Sequence, residues 1–355
     1  MRAVHTENAK AILLSMCFGQ VIADANRPRI WKGSEPTRMS PPEPTSDSAS
    51  RLPLEPMDPQ ISSIQPGGGV CMRLELAWGH VRRALLRTFC PAYVERMRAS
   101  RLGDPTGCPH EVIDSRDLKY YRNQVKCWWE PDRFAWRDRL PFARAGLAEL
   151  LLLASASLAL AAIGGWLWWP IAILPILVFA EVVWFFRNPR RTIPQESGLV
   201  VSPADGKVVA IDELEFDEYV GGPALRIGIF LSIFNVHINR VPVECRVIGL
   251  TYRRGKFLNA LRPASVRENE QLAIRIEENR PPYRRMIVRQ IAGAIARRIV
   301  CWSAPGDVLG RGEQFGMIKL GSRTELVIPR DETLRVVVKL GENVQAGSSV
   351  MARYE

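Results

Sequence analysis

Residues 145 to 186 constrain this chain more than any other segment: two apolar stretches, Ala145 to Ile163 and Trp166 to Phe186, meet at Gly164-Gly165. Each holds about 20 residues, and a helix rising about 1.5 Å per residue would carry either one across a hydrocarbon layer of about 30 Å. One unbroken helix of both would be roughly twice too long, so the pattern predicts a helical hairpin. Trp166, Trp168 and Trp169 at the turn, and Trp184 near the far end, suit a headgroup region, while Pro170 stands where a second helix can begin. Arg133, Arg137, Arg139 and Arg144 precede the hairpin and Arg187, Arg190 and Arg191 follow it, which by the positive-inside tendency places both ends in the cytoplasm. Glu149 and Glu181 lie near those Arg-flanked ends, where a carboxylate reaches water or an arginine. A buried helical pair in a soluble protein, or a pair lying in the membrane interface, are the competing readings.

The first 130 residues read differently. The run from Pro28 to Gly69 is rich in Pro, Ser, Gly and charge, and its few apolar residues predict disorder. Ala11 to Ile22, followed by Ala23-Asp24-Ala25, has the outline of a signal peptide, but Glu7 and Gln20 interrupt it and favour a chance match. The formal net charge of +11, mostly arginine, favours anionic lipid headgroups or nucleic acid as partners. No helix-turn-helix, zinc-finger spacing or stacked basic-aromatic module accompanies it, so nucleic acid is not expected. The cysteines at 17, 71, 90, 108, 127, 245 and 301 include no C-x-x-C pair and predict neither a metal site nor a disulfide framework. Cys245 and Cys301 are expected to be small buried apolar residues.

From Leu199 onward, short apolar runs alternate with turn residues. Candidate strands are Leu199 to Ser202, Lys207 to Asp212, Leu225 to Leu231, Glu244 to Tyr252, Gln271 to Ile276, Arg284 to Arg289, Gly316 to Leu320, Glu325 to Ile328 and Leu334 to Val338. Ala292 to Ile299 and Lys256 to Leu261 are expected as short helical turns. The expected fold class is mainly β (α+β): a barrel- or sandwich-like domain over 191–355 with mostly antiparallel pairing, preceded by a hairpin over 131–190 and an N-terminal extension of low structure over 1–130.

Three segments of this domain could carry chemistry. His237 is the only histidine after residue 130, and it ends the apolar run Phe230-Leu-Ser-Ile-Phe-Asn-Val-His237. A lone histidine at a strand end suits a structural role as well as a chemical one. Ser202-Pro-Ala-Asp205-Gly206-Lys207 breaks a strand at an ordinary turn pair. Gly321-Ser322 interrupts what would otherwise be one continuous strand from Phe315 to Pro329, which asks for a bulge or for chemistry at the backbone.

Together with Phe185-Phe186-Arg187-Asn188-Pro189, these segments resemble the short, single-histidine branch of the phosphatidylserine decarboxylase family, in the same order along about 220 residues. Longer members carry Leu-Gly-Ser-Thr at the cleavage site and two histidines three places apart, whereas this chain has Arg323 after the serine and keeps only His237. The resemblance implies a membrane-bound proenzyme that cuts itself between Gly321 and Ser322 into 1–321 and 322–355. Ser322 would become a covalent pyruvoyl group, with His237 as base and Asp205 as its partner, and no metal would be needed. The implied substrate is phosphatidylserine in an anionic membrane, decarboxylated to phosphatidylethanolamine by a heterodimer of the two cut chains at the cytoplasmic side of the inner membrane. A higher oligomer is left open. The runner-up is a non-enzymatic module: Val338 to Arg353 has the hairpin rhythm of lipoyl-type carriers, and His237 could serve a histidine phosphocarrier.

Overall fold

Period-two alternation buries one face of each strand, and the computed structural model realises it as antiparallel sheets throughout the C-terminal domain. Residues 51–121, 126–130, 135–294, 298–319 and 321–355 are described. The segment with a signal-peptide outline, Cys17 and most of the Pro28 to Gly69 run lie outside them.

In chain order the elements are α1 (Val70–Phe89), α2 (Pro91–Ala99), β1 (Arg101–Asp104), β2 (Lys126–Trp129), α3 (Leu147–Leu167) and α4 (Ile173–Phe185). The domain follows with β3 (Leu199–Val201), β4 (Gly206–Asp217), β5 (Gly222–Leu231), β6 (Ile238–Arg240), β7 (Cys245–Arg253), α5 (Pro263–Glu268), β8 (Gln271–Glu278) and β9 (Arg285–Ile291). It ends with β10 (Arg298–Cys301), β11 (Val308–Leu309), β12 (Gln314–Lys319), β13 (Ser322–Pro329), β14 (Leu334–Val336), β15 (Asn343–Val344) and β16 (Val350–Tyr354).

Eight strands in the order β11-β7-β8-β9-β13-β5-β4-β15 curl into a half-barrel, closed by the smaller sheets β10-β12-β6 and β14-β16-β3. Fully buried Val208, Ile229, Leu272, Leu326, Phe315 and Met351 fill the space between them, and Cys245 and Cys301 lie in the same core. Each expected strand is present, but the helical turn expected over Lys256 to Leu261 is not. The helix of the loop after β7 forms at Pro263–Glu268, where proline occupies the first turn, instead of over Lys256 to Leu261. The middle of the Ala292 to Ile299 stretch, expected as a second helical turn, lies outside the described residues, and its last two residues belong to β10.

The hairpin forms as expected in outline, with one difference in length. Arg144–Leu167 is long and apolar enough to cross a membrane, but Trp169–Phe185 is shorter. Extended backbone at Trp168 and a 3-10 turn over Trp169–Ala172 consume residues that were expected to be helical. Leu151, Leu160, Ile163, Trp166, Leu174 and Leu177 are all exposed, so the hairpin presents a broad apolar surface without protein cover. Its base is anchored: Leu150, Phe185 and Phe186 pack on Val236, Ile238, Val300 and Met317 of the small sheet.

The extension is more ordered from residue 51 than its composition predicts. Residues 51–69 form a strap along β7, whose outer edge is paired by β11 only at Cys245 and Arg246. Beyond that point the strap meets the edge: Glu55 N–H donates to Ile248 O at 2.9 Å, and Tyr252 N–H donates to Asp58 Oδ2 at 2.8 Å. Ile61 is fully buried in the domain core, and Cys301 N–H donates to Ile64 O at 2.9 Å. Low apolar content did not predict this, because a strap borrows the core of another unit instead of building its own.

Candidate active site

The chain crosses between sheets twice at one corner. Strand β5 of the large sheet ends at Leu231 and the chain enters the small sheet at β6; strand β12 of the small sheet ends at Lys319 and the chain enters the large sheet at β13. Ser322 pairs with Leu231, and Met317 with Ile238, so both crossings are held side by side. His237 rides on the first crossing and the Gly321–Ser322 peptide bond on the second. Gly321-Ser322 therefore separates two strands in different sheets and does not interrupt a single strand.

Local chemistry fixes His237. Ser232 N–H and Oγ both donate to Asn235 Oδ1, at 2.9 and 2.7 Å, folding the crossing into a turn. His237 Nδ1 lies 2.9 Å from Asn235 O, and Gly321 N–H donates to His237 Nε2 at 3.1 Å. One protonation state satisfies both partners: a neutral imidazole with its proton on Nδ1 and a lone pair on Nε2. The ring is fully buried against Phe185 of α4, with centroids 4.5 Å apart. Burial pushes its pKa down to about 4, helped by the nearby Arg187 cation and opposed by the Asn235 bond. Arg187 in turn donates to Phe234 O at 2.9 Å, as does Trp184 Nε1 at 3.1 Å, so the hairpin base grips the histidine loop.

Ser322 is fully buried, and its Oγ has no hydrogen-bond partner among the described residues. A buried hydroxyl without a partner costs about 1–3 kcal/mol and asks for a functional reason. Gly321 adopts φ +60, a conformation that glycine takes without a side-chain penalty. Across from it, Gly293 passes so close that a Cβ there would lie 1.9 Å from Gly321 O. The bond is thus presented in an unusual backbone conformation, with histidine on its N-terminal side and glycine backbone against its carbonyl.

Asp205 stands apart from this pair. Its Oδ2 accepts from Arg191 at 2.6 Å and its Oδ1 from Ala346 N–H at 2.8 Å, which ties the β3–β4 turn to the segment before β16. The expected Asp205–His237 hydrogen bond is absent, because Asn235 O and Gly321 N–H occupy both ring nitrogens.

Sequence reasoning missed several neighbours. Asn239 Nδ2 donates to Thr324 Oγ1 at 3.0 Å and Gln290 Nε2 to Asn239 Oδ1 at 2.9 Å, a fully buried network on the face that carries Ser322. On the opposite face Arg323 lies over Gly228 and bonds Glu325, which also takes Arg289 at 2.9 Å. Inward polar residues at alternate strand positions were the available signal.

A sequence model described as phosphatidylserine decarboxylase matches residues 178–352. A phosphatidylserine decarboxylase proenzyme of Rhodopirellula baltica is 58% identical over 240 residues, covering 67% of this chain and 99% of that protein. Proteins of the same description from Carboxydothermus hydrogenoformans and Syntrophus aciditrophicus are 44% and 40% identical, over 61% and 63% of this chain and 98% and 99% of their own lengths. With nearly the whole length of each relative matched at such identity around this corner of the fold, the chain belongs to the phosphatidylserine decarboxylase family.

Proposed function

We propose that this chain is the proenzyme of a membrane-bound carboxy-lyase that converts phosphatidylserine to phosphatidylethanolamine and carbon dioxide, after cutting itself between Gly321 and Ser322. The observation that carries this reading is the meeting of His237 Nε2 with the Gly321 N–H beside a buried, unpartnered Ser322 Oγ. The carrier alternative finds no support in the family match.

Each step can be assigned to residues of this chain. A neutral His237 takes the Ser322 hydroxyl proton once the ring moves its lone pair from Gly321 N–H to Oγ, and Oγ attacks the Gly321 carbonyl carbon. The C–N bond then breaks, the proton passes to the freed Ser322 nitrogen, and an ester joins Gly321 to the serine oxygen. Loss of the Ser322 Cα proton expels the Gly321 carboxylate and leaves dehydroalanine, which water hydrolyses to a ketone with release of ammonia. Asn235 O holds the ring in the required tautomer, the role expected of Asp205; Asp205 instead braces the β3–β4 turn.

The buried, unpartnered Ser322 side chain fits a pyruvoyl group at the start of the 322–355 fragment, whose carbonyl would stand where the hydroxyl finds no partner. That group supplies a carbonyl that binds the substrate amine and accepts the electrons left when carbon dioxide departs. His237 serves in this reading as the donor that returns a proton to the substrate carbon. The hairpin, within 131–190, brings the 191–355 domain to lipid that cannot leave the bilayer, with the domain on the cytoplasmic side.

Intact mass measurement of membrane-extracted protein tests the proposal. The expected result is two chains, 1–321 and 322–355, the smaller lacking an N-terminal amine, with Ser322→Ala remaining a single chain of 40.0 kDa. A Ser322→Ala protein that is still cut, or native protein that is never cut, overturns it.

A further inference from the structure

Helix α1 turns its charge inward and its apolar side outward. On the inner side Arg82 bonds Asp114 at 3.1 Å and also Asp117, Arg83 bonds Asp117 at 2.8 Å, and Lys119 bonds Glu75 at 2.7 Å. Arg83, Asp114 and Asp117 are buried. On the outer side Val70, Leu74, Trp78 and Val81 follow one helix face at spacings of four, four and three, and are 57, 52, 56 and 50% exposed. Single exposed apolar side chains are ordinary, but a stripe along three turns marks a contact surface. The buried ion pairs lock the helix in this orientation, so the stripe cannot roll inward.

Two observations identify what covers it. First, α1 packs against α3, and Tyr120, which bonds Glu75 of α1, lies within electrostatic reach of Glu149 in the first turn of α3. The start of α1 therefore sits at the base of the exposed apolar hairpin, at the depth where an inserted hairpin would cross the headgroups. Second, Arg73 is exposed beside the stripe, whereas Arg82 and Arg83 are turned inward onto Asp114 and Asp117. Apolar side chains continuous with an apolar hairpin and flanked by the Arg73 cation fit an anionic bilayer surface.

We propose that α1 is an interfacial helix, lying at the boundary between headgroups and acyl chains with Val70, Leu74, Trp78 and Val81 in the acyl layer. It forms a second lipid contact, outside the region that matches the family.

The test uses the full-length chain in vesicles of phosphatidylcholine with and without phosphatidylserine, containing a lipid with a photoactivatable diazirine in its acyl chain. After irradiation and digestion, the expected result is adducts on the peptide holding Leu74 to Val81 as well as on the hairpin peptides, with the α1 adducts stronger in the anionic vesicles. Trp78→Glu combined with Val81→Glu should lower α1 adducts about fivefold or more while hairpin adducts change less than about twofold. Hairpin adducts without α1 adducts in the unaltered protein overturn the proposal. A doubled mass with the α1 stripe shielded from lipid also overturns it, by making a second copy of the chain the occupant.

Discussion

Lys319, two residues before the Gly321–Ser322 bond, forms a buried ion pair with Glu149 in the first turn of α3. Gln65 of the strap lies 3.5 Å from the same ammonium, which meets Glu149 through Oε1, and Glu149 Oε2 has no hydrogen-bond partner among the described residues. Extension, hairpin and the end of β12 are thus joined at one charge. Breaking a buried pair strands the remaining charge, at a cost of about 3–5 kcal/mol, whereas an apolar pair of similar size is often neutral or stabilising.

Lys319→Met is therefore expected to lower the thermal midpoint strongly, and Glu149→Leu added to it should recover most of the loss. Unfolding followed by circular dichroism in detergent checks both. A single variant as stable as the original chain would show that the pair holds nothing in place.

The buried imidazole gives a pH dependence of known sign. His237 titrates near 6.5 when unfolded and at about 4 in the folded chain, because burial penalises its cation. Between those values the unfolded chain binds the extra proton, so this contribution to stability is present above about 6.5 and is lost as pH falls through that window. Self-cleavage should run at a constant rate from pH 8 to about 5 and fall below, with a midpoint nearer 4 than 6.5. A midpoint at the ordinary imidazole value would contradict the buried geometry, and His237→Ala should abolish the cut.

Gly293→Ala tests the close approach to the scissile carbonyl. Its Cβ would overlap Gly321 O, so one of the two segments must move by about 1 Å, and a displacement of that size at a reacting centre costs roughly a hundredfold in rate. Gel analysis of freshly made protein should show the half-time of cleavage lengthened by about that factor. Unchanged kinetics would mean that the carbonyl does not need this position.

The strap predicts a stability effect far from the chemistry. Ile61→Ala removes a fully buried side chain from the domain core and should cost about 2–5 kcal/mol, read as a lower denaturant midpoint. A loss below about 1 kcal/mol would mean that the strap is not part of the folding unit.

Short-range pattern made much of this legible. The strands from Leu199 to Val336, the pairing of two apolar helices and the anomaly at Gly321-Ser322 all follow from residue type and spacing over short stretches. The hairpin turn was expected at Gly164-Gly165 but falls instead at Trp168–Ala172, because the first helix continues through both glycines to Leu167. In the 191–355 domain the β6, β10, β11, β15 and β16 strands were not expected: β11 and β15 hold two residues each, too few for alternation to register, and β10 falls at the end of a stretch expected to be helical. Asp205 was misplaced as a partner of His237 because a turn motif says which residue bends the chain but not which distant group it meets.

What the sequence determined by itself was a set of local states: where the backbone extends, where it can cross lipid, and which peptide bond is out of place in a strand. Tertiary structure alone decided that His237 and Gly321 share a corner, that Gly293 closes on the Gly321 carbonyl, and that Glu149 reaches Lys319 across 170 residues. The physical reason is that such contacts depend on strand order in two sheets, which is set by packing among many elements at once and leaves no periodic trace along the chain.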